Sequence, residues 1–253
     1  MTSRREALRM IGLATGSMLI GTLAGNRELV AAPKPGFPWM YEKLDPVVAA
    51  ERAYKGYWEG RCCYGSFEAI VGELADRRGA PYNTFPSDMM RIGVGGGADW
   101  TTLCGAIMGP MFAMSLLSKD PMAAVDELFG WYEQTALPDY QPKNPKGLIT
   151  VTSISRSPLC HVSVSRWCKA AKVKSFSKER TERCAWMTAA CTKKAVEILN
   201  ARLEGTFKAS YPLPKHVQEC RSCHDNGGVL ENARAKMDCG VCHFNLGTSH
   251  KKI

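Results

Sequence analysis

KHVQECRSCHDNGGVLENARAKMDCGVCHFNLGTSHKKI, residues 215–253, decides how this chain is read. It contains two Cys-x-x-Cys-His units: Cys220, Cys223, His224 and Cys239, Cys242, His243. In such a unit two thiols at a fixed short spacing add across the two vinyl groups of one haem, and the next residue turns its imidazole onto the iron. This is the attachment signature of a c-type haem. Cys220-x2-Cys223-x15-Cys239-x2-Cys242 also has the spacing of a four-cysteine zinc ribbon. A ribbon has no use for histidine directly after both pairs, and two disulfides would leave those histidines unexplained as well. The stretch therefore implies two haems c, with the four cysteines as thioether sites and His224 and His243 as proximal iron ligands.

From about Phe207 onward the chain carries Pro212, Pro214, Asn226-Gly227-Gly228 and few large apolar side chains. A unit this small rarely buries enough surface to fold alone. Residues 206–253 thus read as a small, irregular dihaem domain whose core is porphyrin.

The other end reads as an export signal, residues 1–32. Ser3-Arg4-Arg5-Glu6-Ala7-Leu8-Arg9 has the adjacent arginines of a twin-arginine signal, with Ala7 where a larger apolar residue is usual, and an apolar run follows from Met10 to Ala24. That run is short and interrupted by Gly12, Gly16 and Gly21, so no stable membrane span is expected once the signal is cleaved. A periplasmic location follows. Twin-arginine substrates generally cross already folded and carrying a cofactor, whereas haem c is attached after export. A second cofactor, assembled before export, is therefore expected among the cysteines outside the tail.

The eleven cysteines less the four of the tail leave Cys62, Cys63, Cys104, Cys160, Cys168, Cys184 and Cys191, an odd number that rules out a complete intrachain disulfide framework. Net charge is +9, of which residues 1–32 carry +2 (Arg4, Arg5, Arg9 and Arg27 against Glu6 and Glu28), leaving +7 for the rest. No compact basic run with interleaved aromatics marks a nucleic-acid surface. The excess cations meet haem propionates or steer an acidic redox partner.

Residues 33–205 read as a mainly α, cysteine-bearing domain. Asp45-Pro46 caps two helices or one bent helix over 45–77, with Val47, Ala50, Tyr54, Tyr57 and Trp58, then Phe67, Ile70, Val71 and Leu74, at helical spacing. Cys63 lies on the second stripe and reads as core; Cys62 points about 100° away. The loop from Gly79 to Trp100 contains Gly93-Val94-Gly95-Gly96-Gly97, which lacks the Lys-Ser/Thr of a phosphate loop and instead lets backbone approach something closely. Cys104 falls in the first turn of a helix to about Leu117, where the helix dipole favours thiolate. Asp120-Pro121 opens a helix with Met122, Val125, Leu128, Phe129 and Tyr132 inward, and Leu148–Ile154 alternates like a short strand. Ser157-Pro158 starts a helix carrying Cys160 and Cys168. Ser177 caps a long one to about Glu204, with Cys184, Met187, Cys191 and Ile198 on one stripe.

The segments GRCCYGSFEAIVGEL, LCGAIMGPM, SPLCHVSVSRWC and ERCAWMTAACTKKAVEILN, together with the signal and the two CxxCH units, resemble split-Soret cytochromes c. The body alone resembles the C_GCAxxG_C_C cysteine-patterned domain. The resemblance implies a homodimeric, periplasmic dihaem protein of anaerobic respiration in sulfate-reducing type bacteria, with bis-histidine haems and an iron–sulfur centre, 2Fe-2S favoured. Carried onto this chain, that centre draws on Cys104, Cys160, Cys168 and Cys184, with Cys62 or Cys63 as alternatives.

These readings converge on an electron carrier serving redox partner proteins. A small haem reductase with one open iron position is the alternative, and a zinc module the more distant one. Of the five histidines, two are proximal, leaving His161, His216 and His250 as candidate sixth ligands. His216 and His250 belong to the tail and are the expected pair, at least one of them donated across a dimer interface.

Overall fold

The structure is a computed structural model and describes residues 36–243; the signal reading and His250 lie outside them. Six α-helices account for most of the ordered backbone: α1 (Pro46–Arg78), α2 (Gly105–Leu117), α3 (Met122–Gln134), α4 (Cys160–Ala171), α5 (Lys178–Leu203) and α6 (Lys215–His224). Among the described residues β-structure is limited to two isolated antiparallel bridges, Leu103 with Leu159 and Leu137 with Ser153. The fold is mainly α, as expected from the sequence. No helix among these residues is long and apolar enough to cross a membrane.

The two longest helices, α1 and α5, form the main packing pair, and α2 lies against both. Asp45 caps α1 by accepting from the Val47 and Val48 amides, with Pro46 at the first helical position. The helix bends at Arg61, whose φ of 69° is non-helical. Phe67, Ile70 and Leu74 of α1, Ile107 and Met114 of α2, Leu128 and Tyr132 of α3, and Met187 and Leu199 of α5 are buried in one core. Each contributes roughly 1.5–3 kcal/mol of burial. Asn200 near the end of α5 fastens the N-terminal segment: its side chain accepts from the Tyr41 hydroxyl (2.8 Å) and donates to the Leu44 carbonyl (2.8 Å).

Three local expectations change. Met122 is exposed because it opens α3 on the solvent side, while Ala124 in the same turn already faces the core. Leu148–Ile154 forms no strand, since only Ser153 finds a backbone partner, in Leu137. In the tail, Lys215–His224 is helical although a single residue, Val217, is buried there.

Candidate metal centre

The Leu103–Leu159 bridge brings two helix starts together. Cys104 donates its amide to the Pro158 carbonyl at 2.9 Å, and Cys160 donates to the Thr102 carbonyl at 2.7 Å. Cys104 is the N-cap of α2 and Cys160 the first residue of α4. Both thiols thus sit at the positive ends of helix dipoles, where thiolate is favoured. The two thiols are within hydrogen-bonding reach of each other. The hydrogen bond from Cys160 brings Cys104 down to about 6 against the penalty of burial, helped by the Tyr132 hydroxyl, the Ala106 amide and Arg183. The same bond pushes Cys160 far above the ordinary thiol value.

Two more thiols complete a loose ring. Cys62, beside the bend of α1, is pushed up by burial and by the neighbouring Cys104 and Cys184, while the Gly95 amide donates to its sulfur. Cys184, half-buried in the second turn of α5, lies within electrostatic reach of Cys62 and Cys160. Cys63 is pushed up to about 12 by burial and then by Cys104, and Gly93 packs directly on its side chain. Cys168 reaches Arg183, Cys184 and Arg180. Cys191 is fully buried in α5, close enough to Cys104 to feel its charge. Among the described residues no three His, Cys, Asp or Glu side chains stand close enough to ligate a single metal ion together.

The packing that builds this ring depends on two glycines one turn apart. A Cβ on Gly105 would stand 2.4 Å from the Cys62 sulfur, and one on Gly109 would stand 2.4 Å from the Cys63 carbonyl oxygen. Bare glycines therefore let α2 lie directly on the backbone of α1 at its bend. The glycine loop covers the ring from outside. Gly95, Gly96, Gly97, Ala98 and Asp99 all have positive φ, and Gly96 packs on Cys160 with 3.0 Å between a built Cβ and the cysteine Cβ. This winding turns the Gly95 amide inward.

Beneath the ring lies Arg183, 1% exposed. Its Nη2 donates to Ser163 Oγ at 2.8 Å, and the Tyr132 hydroxyl lies 2.8 Å from the same oxygen. Its Nε has no hydrogen-bond partner among the described residues. A guanidinium this deep requires negative charge nearby; the thiols of Cys104 and Cys184 are its neighbours. Arg183 and the Gly105/Gly109 pair are the functional residues that sequence reading missed. The glycine spacing after a helix-starting cysteine was visible, but the arginine, immediately before Cys184, lies off the apolar stripe.

In the tail, Cys220 and Cys223 lie one turn apart on α6 and His224 closes the helix. The His224 ring is oriented by Nδ1, 2.7 Å from Asn232 Oδ1, the arrangement by which protein groups fix a metal-ligating imidazole. Cys239 opens a 3₁₀ turn, Cys239–Val241, and lies against Cys220; Cys242 and His243 follow. His216 lines a cavity of about 240 Å³ with Glu133, Arg156 and Asp238, and its Nε2 is 2.8 Å from Asp238 Oδ1. Arg156 donates to the other oxygen of Asp238, tying tail to body. His161 is exposed at the start of α4, beside the ring and apart from these tail groups.

Residues 64–198 match the family model "Putative redox-active protein (C_GCAxxG_C_C)". The whole chain is similar to split-Soret cytochrome c of Desulfovibrio desulfuricans, 39% identical over 96% of this chain and 94% of that protein. The chain belongs to the split-Soret cytochrome c family. A solved structure of the split-Soret cytochrome c from the same species, described as holding a novel iron centre, superposes with a TM-score of 0.77 at 40% identity, covering 84% of this chain and 92% of that one. The split-Soret body is thus shared in both sequence and fold.

Proposed function

We propose that this protein is a periplasmic electron carrier, exported by the twin-arginine route, with two haems c in the tail and one iron–sulfur centre in the body. The haems attach at Cys220/Cys223 and Cys239/Cys242, with His224 and His243 as proximal ligands. Cys62, Cys104, Cys160 and Cys184 hold the second centre; Cys62 joins this set in place of Cys168, which lies toward Cys184 and Arg180 rather than the Cys104–Cys160 pair. The juxtaposition of two helix-starting thiols over a buried, incompletely bonded arginine carries the reading. A ring with one close pair suits a multi-iron centre, which spreads its thiolates over different irons. That a relative is described as holding a novel iron centre supports a further iron site in this chain.

Such groups supply one-electron chemistry when bound. The chain's part is to hold the thiolates, exclude water and stabilise the extra negative charge of the reduced state. Arg183, the Gly95 amide and the two helix starts all favour that charge, which raises the potential. For the sixth haem positions His216 and His250 remain the assignment, one crossing a dimer interface. Asp238 holds His216 Nε2, which leaves Nδ1 as the nitrogen that would face the iron.

Mass spectrometry of denatured protein matured in the periplasm should show the chain plus two haems, and fresh anaerobic protein should contain acid-labile sulfide. A bare polypeptide mass would overturn the haems; iron equal to haem without sulfide would overturn the second centre.

A further inference from the structure

The connection from α4 to α5 is unlike the rest of the surface. Lys169, Lys172, Lys174 and Lys178 are all exposed within ten residues of one tight hairpin, and none is in a salt bridge among the described residues. Ion pairs form elsewhere, Arg52 with Glu68, Arg78 with Glu42 and Lys236 with Asp126, and unpaired lysines elsewhere, such as Lys55, Lys119 and Lys208, stand singly; what sets this connection apart is the crowding of its cations. At the tip of the hairpin Phe176 is 95% exposed. The turn itself is well defined. Lys172 ends α4 in the left-handed region and donates its amide to the Lys169 carbonyl; Ser177 caps α5 by accepting from the Arg180 amide at 3.1 Å.

Local chemistry argues that this charge is not there for stability. Lys178 and Arg180 occupy the first turn of α5, at the positive end of its dipole, where cations are disfavoured and Glu179 is the single acid. A structure that breaks a local rule at an ordered, exposed turn does so for an external reason. Position supplies the reason. Cys184 is six residues further along α5, about 9 Å along the helix axis, and is half-buried. The hairpin is therefore a short route from the surface to the cysteine ring.

We infer that the Lys169–Arg180 hairpin is the docking face for an acidic redox protein, with Phe176 as its apolar anchor and Cys184 as the near edge of the centre it serves. This rests on the electron-carrier reading above. A second copy of the chain is a poor occupant, because a symmetric contact would set lysine against lysine. Charge steers encounter over the screening distance, and the aromatic ring fixes the pose after contact.

Stopped-flow reduction of the full, haem-loaded protein by a reduced acidic ferredoxin tests the inference. The wild-type bimolecular rate should fall about tenfold between low and physiological salt. Lys174→Glu/Lys178→Glu should be about tenfold slower at low salt and nearly insensitive to salt, while Phe176→Ala should slow the reaction about threefold and keep the salt dependence. Wild-type rates in the charge-reversed variant would overturn the docking face. So would a protein that dithionite reduces but the ferredoxin does not. If the variant instead loses binding to anionic phospholipid vesicles at an unchanged ferredoxin rate, the hairpin is a lipid contact and the inference falls. A haem that dithionite itself cannot reduce removes the carrier reading beneath it.

Discussion

In the body, Cys62, Cys104, Cys160 and Cys184 arrive from four separate segments and gather among fully buried core residues. In the tail, Cys220, Cys223, Cys239 and Cys242 follow one another in a short stretch where, among the described residues, Val217 and Asp238 are the buried ones. The body has enough packing to hold its thiols in place before anything binds. The tail has little of its own and leans on the body through Arg156–Asp238 and Lys236–Asp126. One region is a folded vessel; the other buries too little to form a core of its own.

The largest expected effect separates the two. Cys104→Ala should abolish acid-labile sulfide while the denatured mass still shows two haems. Cys220→Ala/Cys223→Ala should remove one haem and leave the sulfide. If either variant loses both cofactors, the regions are not independent and the comparison breaks.

A smaller effect sharpens it at the level of packing. Gly105→Ala puts a methyl against the Cys62 sulfur and 2.8 Å from the Gly93 carbonyl oxygen, so it should cost about 1–3 kcal/mol in chemical denaturation of the body. Gly205→Ala, in the connection to the tail with open space around it, should cost less, its penalty being the backbone's positive φ alone. Equal losses would mean that α2 does not rest on α1 as closely as described.

The smallest is a slope with pH. Cys104, held near 6 in the folded iron-free protein, contributes stability that is complete above its ordinary value of 9.0 and lost as pH falls through 6. Glu133, raised to about 7 by burial, runs the other way, its contribution present below 4.5 and lost as pH rises through 7. Between pH 7 and 8 the Cys104 thiol dominates, because the raised thiols, Cys62, Cys63 and Cys160 among them, oppose it only as pH nears their ordinary value of 9.0. Denaturation of iron-free protein should therefore show stability rising across that window, and Cys104→Ser should flatten it.

How much of this was legible in the chain follows the range of the interactions. Asp45-Pro46 and Ser177 announced their helices because caps are local chemistry. The CxxCH units announced themselves for the same reason. The glycine run was legible as a place of close backbone approach, and its approach is to Cys62, Cys63 and Cys160. The grouping of the body cysteines was not legible. Helical projection sets Cys62 and Cys63 about 100° apart but cannot say which faces Cys104, since the bend at Arg61 and the crossing of α2 decide that. Arg183 was hidden for a related reason: a long cation reads as surface unless its buried partners are known.

The span from Cys62 to Cys184 has a mechanical meaning. A metal centre gripping four thiols across that interval carries any pull applied to the chain ends through its sulfur bonds, bypassing every residue in between. In a single-molecule stretching experiment the loaded protein should hide about 400 Å of contour length, at roughly 3.3–3.6 Å per residue, and release it as the metal–sulfur bonds give way. Stripped of metal, the same interval should unravel at lower force.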